Sequence, residues 1–426
     1  MPLAACRFIF GLQIFCLAAS AAVVAPSPAR AHALYRWVQQ VPGGAEARAL
    51  TQEPICPVAK IDGRPKPMAE SSAPRERFPL RVCAIPIPRG AAEISIDQIP
   101  LPLPKPRVDR ILLIGDTGCR LKKDKVQDCN DISAWPFRLV ADVAADLKPD
   151  LVLHLGDLLY RETACPPERK GCAGSPFGDA WETWEADFFK PAESLLGTAP
   201  FIFVRGNHEI CARGGKGWGF LVDPFPAQAG EACPGSEPPY FVDLGGVSLL
   251  VFDVSEADDF HADAAQAERF RRQFAAAQFA GPGPVWLAFH KPIWARGSLT
   301  EDDEPGDNKT LALAARNAIT ANVHALLSGH DHTFQVLSYA DDLPVQIIVG
   351  NGGDNLLEHA PERLDGASID GVKVRTGRGA PGRFGFAMLT RELTHASGER
   401  WSLTAYDAHG QPLAACRLAS RTLDCD

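Results

Sequence analysis

"LVLHLGDLLYRE", residues 151–162, decides how this chain is read. Leu151–Leu155 is an apolar run of the length expected for a buried strand. It ends in Gly156-Asp157, and Tyr160 follows three residues later. A carboxylate at the end of a buried strand is costly unless something pairs with it. One helical turn after the strand would bring positions 157 and 160 to a common face, so the acid and the phenol are expected to work together.

The same pattern recurs on both sides of this stretch. "RILLIG" (110–115), "PFIFVRG" (200–206), "SLLVFD" (248–253), "PVWLAFH" (284–290) and "HALLSGH" (324–330) are further buried-strand runs. Helical spacing of apolar residues appears between them, at 134–147, 179–196, 262–279 and 309–322. Alternating strands and helices predict an α/β domain with strand ends converging on one edge. The C-terminal runs "VQIIVG", "FGFAMLT" and "WSLTAYD" are strand-like and are expected to build a second sheet.

Five strand ends carry polar residues of one chemical kind: "GDTG" (Asp116, Gly118), "GDLLY" (Asp157, Tyr160), "GNHE" (Asn207, His208, Glu209), "LAFH" (His290) and "GHDH" (His330, His332). Carboxylate, imidazole, amide and phenol donors converging at strand ends suit hard-to-borderline metal ions. His330 and His332 are two apart, so an extended segment points both the same way. His154, in mid-strand, reads as a core histidine, and Trp181 and Trp184 read as packing residues. "GNGG" (350–353) reads equally as a loop approaching the site or as a tight turn.

These blocks resemble the calcineurin-like metallophosphoesterase superfamily and, within it, the purple acid phosphatases. Most of the superfamily has Asp-x-His in the first block; Asp116-x-Gly118 with GDxxY is similar to the purple acid phosphatase pattern. The resemblance implies an α/β fold of two packed β-sheets flanked by helices, an αββα sandwich. It implies a dinuclear centre in which Asp116, Asp157, Tyr160 and His332 hold one metal. Asp157, Asn207, His290 and His330 hold the other, with Asp157 as the bridge. A tyrosinate in place of a neutral histidine removes one unit of positive charge, which a trivalent ion restores, so Fe(III) is expected there, with Fe(II), Zn(II) or Mn(II) beside it.

The implied activity is hydrolysis of phosphate monoesters by metal-activated water, with Asp157 and His208 as catalytic residues. His208 is assigned to orienting phosphate or protonating the leaving alcohol, and Glu209 to fixing an imidazole from outside the centre. The plant-type histidine pair after the fourth block is missing from "KPIWARGSLTEDDEPGD"; Lys291, Arg296 and the acidic run 301–304 stand in that region. A phosphodiesterase on the same scaffold and a non-catalytic, metal-stabilised binding or adhesion module are the alternatives.

The chain has 426 residues, 46% of them hydrophobic, and a formal charge of −9. That balance is globular, and it offers no basic field for nucleic acid. The expected partner is a small phosphorylated substrate, with no membrane contact beyond an export signal; the oligomeric state is left open. Residues 1–33 read as that signal, cut after Ala31 or Ala33, with an uncleaved anchor as the alternative. A secreted or periplasmic location makes the ten remaining cysteines disulfide candidates. Nearest-neighbour pairing gives Cys56–Cys83, Cys119–Cys129, Cys165–Cys172, Cys211–Cys233 and Cys416–Cys425. Residues 34–106, with 13 prolines, read as a small β-rich module and linker ahead of a catalytic domain over 107–426. The sequon at Asn308 matters only in a eukaryotic secretory pathway.

Overall fold

The computed structural model describes residues 31–426 except 124, 226–232, 234–235, 298–307, 358 and 393–399. The greater part of the expected export signal (1–30) and the acidic run 301–304 lie outside the described residues. Every apolar run expected to be a strand forms one. Arg110–Ile114, Leu151–His154 and Phe201–Phe203 are parallel neighbours in an eleven-stranded sheet. Ser248–Val251, Val285–Ala288, Val323–Ser328 and Val345–Val349 are parallel neighbours in an eight-stranded sheet.

Successive side chains of a strand point to opposite faces, and this sorts the runs into layers. Ile111, Leu113, Leu151, Leu153 and Ile202 of the first sheet meet Val251, Trp286, Ala288 and Leu327 of the second in a shared core. Their alternates Leu112, Ile114, Val152 and Phe203 pack under the helix Phe137–Asp146 and Phe188. On the far side, Leu250, Leu287 and Leu326 pack under the helices Ala264–Ala275 and Lys309–Ala315. The result is two sheets flanked by helices. Strands buried on both faces must be apolar throughout, which is why these runs do not alternate in sequence.

Three expectations change. Residues 34–106 do not stand apart from the catalytic sheet. Tyr35–Val41 pairs in parallel with Phe201–Phe203, and Gly44–Thr51, Arg81–Pro86 and Ala69–Ser72 continue that sheet outward. Only Val58–Ile61, Arg64–Pro67, Ile94–Ile96 and Ile99–Pro100 form a small sheet of their own. The last strands also join the first sheet rather than building the second, with Gly385–Arg391 antiparallel to Arg110–Ile114. The expected helix over 179–196 is broken: Trp181–Trp184 runs into a π-helical turn, Glu185–Phe189.

The five expected disulfides are present. Three of them close the loops that follow Gly118, Tyr160 and Glu209, and so brace the chain where it leaves three of the polar blocks. Among the described residues, no helix is long and apolar enough to cross a membrane.

Candidate metal centre

The polar blocks sit at the C-terminal ends of the parallel strands of both sheets, where loops converge. Asp116, Asp157 and His330 adopt φ of +56°, +56° and +71°, a region that non-glycine residues rarely occupy and that clusters at functional sites. No helical turn links Asp157 to Tyr160, contrary to expectation. Instead the chain bends sharply at Gly156 (φ +100°) and Asp157 and then runs irregularly. A Cβ on Gly156 would lie 2.5 Å from His290 Nδ1, so only glycine allows this approach.

Two buried carboxylates hold that bend. Glu209 Oε1 accepts the amides of Leu158 and Leu159 at 2.8 and 3.1 Å, and Oε2 accepts those of Asp157 and Gly206 at 3.0 Å each. Glu209 was expected to fix an imidazole; it fixes backbone. Asp187, raised into position by the π turn, accepts the amides of Cys119, Tyr160 and Arg161 at 3.1, 2.8 and 3.1 Å, together with the Arg161 guanidinium at 2.5 Å. π turns recur at functional sites because they re-aim one side chain.

The seven donors expected from sequence come together. Tyr160 Oη lies 2.9 Å from Asp116 Oδ1, 3.0 Å from Asp157 Oδ2 and 2.9 Å from His332 Nε2. His290 Nε2 lies 3.1 Å from Asp157 Oδ2 and 3.0 Å from Asn207 Oδ1, and His330 Nδ1 is 2.9 Å from the same amide oxygen. Asp157, His290 and His330 present ligand atoms all within 4.8 Å of one another.

Proton counting shows what the cluster lacks. His290 Nδ1 faces the Leu155 carbonyl at 2.7 Å and His332 Nδ1 faces that of Asn355 at 2.8 Å. A carbonyl only accepts, so each Nδ1 carries the proton and each Nε2 presents a lone pair to the centre. The His290 lone pair meets carboxylate and amide oxygens, which are acceptors too, and that of His332 meets the Tyr160 hydroxyl, whose single hydrogen Asp116 and Asp157 also face. One phenolic hydrogen cannot satisfy Asp116 and Asp157 at once. Lone pairs in excess of protons fit a cation. Without one, protons fill the gap: against the burial that disfavours its charge, the Asp157 carboxylate holds the His290 imidazole up at about 9. Burial, then Asp116 and Asp157, push the Tyr160 phenol well above its usual range.

His208 is buried against the Tyr160 ring, with centroids 3.8 Å apart. Its Nδ1 lies 3.1 Å from the Leu159 carbonyl and 3.0 Å from Glu162 Oε1, and its Nε2 is 3.9 Å from Asp157 Oδ2. Arg213 is packed against the ring and Glu162. Burial outweighs these acids and lowers the imidazole to about 4. Lys291 is turned away from the centre, with Nζ on the Ala257 carbonyl at 2.6 Å and Asp259 Oδ2 at 2.7 Å. The "GNGG" loop lies against the Asp116 block, through Gly352 N to Gly115 O at 3.0 Å.

A family model described as calcineurin-like phosphoesterase matches residues 109–334, just over half of the 426-residue chain. The chain belongs to this family. It is a family of metal-dependent phosphoester hydrolases, and the clustered Asp157, His290 and His330 could hold a metal ion. Among solved structures, the chain is similar to a purple acid phosphatase, PPD1, from yellow lupin (Lupinus luteus) seeds. That match has 14% identity and a TM-score of 0.57, over 91% of this chain and 74% of that one. It is also similar to PhoD, at 11% identity and a TM-score of 0.53, over 94% and 93% of the two chains. No curated protein sequence matches it. At these identities the likeness is one of fold.

The family model begins at residue 109, so the N-terminal strands are an addition to its span. Sequence reasoning missed Asp187, Arg120, Asp354, Glu162, Arg213 and Asp259. Arg120 pairs with the buried Asp354 and lies 4.8 Å over the Tyr160 ring. Only their proximity to "GDTG", "GNGG" and "GDLLY" hinted at Arg120, Asp354 and Glu162 respectively. His154 is a core histidine, bonded to Thr117 at 3.0 Å. Asn308 is buried, caps the helix Lys309–Ala315 and bonds Asp259, leaving no room for a glycan.

Proposed function

We propose that this chain is an exported phosphatase that hydrolyses phosphate monoesters at a dinuclear centre, with Fe(III) at the site that includes Tyr160. The observation that carries this reading is the phenol of Tyr160 within 3.0 Å of both Asp116 and Asp157. A phenol buried between two carboxylates does not ionise unless a strong cation takes the place of its proton. Asp116, Asp157, Tyr160 and His332 would hold that cation. Asp157, Asn207, His290 and His330 would hold a second, divalent one, Fe(II), Zn(II) or Mn(II). When bound, such ions polarise a phosphoryl oxygen and make water a nucleophile near neutral pH.

The chain's own residues supply the rest. Asp157, pinned by Glu209, sets the geometry shared by both sites. Arg213 places a fixed positive charge beside His208, suited to a phosphate oxygen. Neutral His208 holds its Nδ1 proton toward Glu162 and the Leu159 carbonyl, which leaves Nε2 as an acceptor beside the Arg213 guanidinium; this suits His208 to orienting Arg213 and the phosphate rather than to giving a proton to the leaving alcohol. Gly118 supports the assignment of Tyr160. A Cβ there would lie 2.7 Å from Leu158 O and 2.9 Å from Tyr160 N. The histidine most of the superfamily carries at this position has no space, because the tyrosine-bearing segment fills it. The five disulfides favour an oxidising compartment.

Tyr160→Phe tests the metal assignment. Gently purified wild-type chain is expected to contain iron and to absorb visible light through tyrosinate-to-iron charge transfer, and the variant to lose that band. A colourless, iron-free wild type would sink the Fe(III) reading.

A further inference from the structure

Each of the three histidines turns one nitrogen to the centre and the other to an oxygen outside it. For His290 that oxygen is the Leu155 carbonyl, and for His332 the Asn355 carbonyl. For His330 it is a side chain: Nε2 lies 3.7 Å from Asp259 Oδ1, while Nδ1 faces Asn207. We propose that Asp259 is a positioning residue that sets cation affinity at the Asp157–His290–His330 site.

Asp259 is built for this place. It lies in the loop between the strand Ser248–Val251 and the helix Ala264–Ala275. Lys291 Nζ donates to its Oδ2 at 2.7 Å and Asn308 Nδ2 to its Oδ1 at 2.5 Å. Lys291 is itself anchored on the Ala257 carbonyl at 2.6 Å, and Asn308 by capping its helix through Leu311 N at 2.7 Å. The carboxylate therefore cannot swing away from the imidazole. At 3.7 Å the contact is an ion pair rather than a hydrogen bond; the carboxylate charge favours a proton on the facing Nε2 and raises the basicity of Nδ1, and losing a carboxylate partner behind a ligating imidazole typically weakens metal binding about 10- to 100-fold. The two carbonyls behind His290 and His332 do the same orienting work without a charge. Affinity at the two sites is thus tuned separately, and Lys291, adjacent to His290 in sequence, serves the His330 side through Asp259.

The proposal rests on the metal-centre reading and is tested by titrating the chelator-stripped full chain with Zn(II) alone. His330→Ala and His332→Ala variants identify which binding event belongs to which side. Asp259→Asn is expected to weaken the event lost in His330→Ala by about 10- to 100-fold and to leave the event lost in His332→Ala unchanged; the stripped variant is expected to stay folded but to melt below the wild type, because buried Lys291 loses its counter-charge. Asp259→Glu, which keeps the charge, is expected to restore most of the affinity. A wild-type isotherm for Asp259→Asn overturns the proposal and leaves the metal centre standing, as does equal weakening of both events. A wild-type chain that binds no Zn(II) overturns both.

Discussion

At the scale of single residues, the centre stores negative charge that protons hold in place until cations arrive. His290 shows the sign of the effect. Its folded-state value of about 9 lies above the ordinary 6.5, so the stability it adds to the stripped protein is fully present below pH 6.5 and is lost as pH rises through 9. Metal binding displaces this proton and favours higher pH. Stripped chain is expected to melt at progressively lower temperature from pH 6.5 to 9, and metal-loaded chain to hold or gain over the same range. Parallel melting curves with and without chelator would contradict this.

At the scale of elements, the ligand-bearing strands were legible because burial on both faces forces continuous apolar runs, and a polar residue at the end of such a run stands out. The turn joining Asp157 to Tyr160 was not legible. Its shape is dictated by Glu209 and Asp187, which lie 52 and 30 positions further on, and by a π turn that interrupts an otherwise good helical pattern. Asp259 was silent for the same reason, because the loop it occupies carries no periodicity. Asp187→Ala leaves three amides and the Arg161 guanidinium without their acceptor. Breaking such a buried pair costs about 3–5 kcal/mol, and urea denaturation is expected to show a loss of that size. A loss below about 1 kcal/mol, within the range of an exposed ion pair, would mean that the π turn does not hold the tyrosine segment.

At the scale of the whole molecule, the sandwich brings the ends of two parallel strand sets together, so polar side chains from residues 116 to 332 share one cluster. Sequence patterning foretold that architecture but misread its edges. Proline density marked 34–106 as separate, whereas hydrogen bonding makes Tyr35–Val41 the direct neighbour of Phe201–Phe203, the strand leading to Asn207. A chain beginning at residue 107 would expose that strand's edge and the buried Trp37 contacts, and is expected to be insoluble or unfolded by circular dichroism; a cooperatively melting 107–426 fragment would show that the first strands are dispensable. The most direct test of the proposed function is the initial rate of p-nitrophenyl phosphate hydrolysis by the iron- and zinc-loaded chain, with bis-p-nitrophenyl phosphate and the Asp157→Asn variant measured alongside. The monoester is expected to turn over faster than the diester, and Asp157→Asn to lose nearly all activity. Hydrolysis unchanged by Asp157→Asn, or confined to the diester, would contradict a phosphomonoesterase built on the Asp157 bridge.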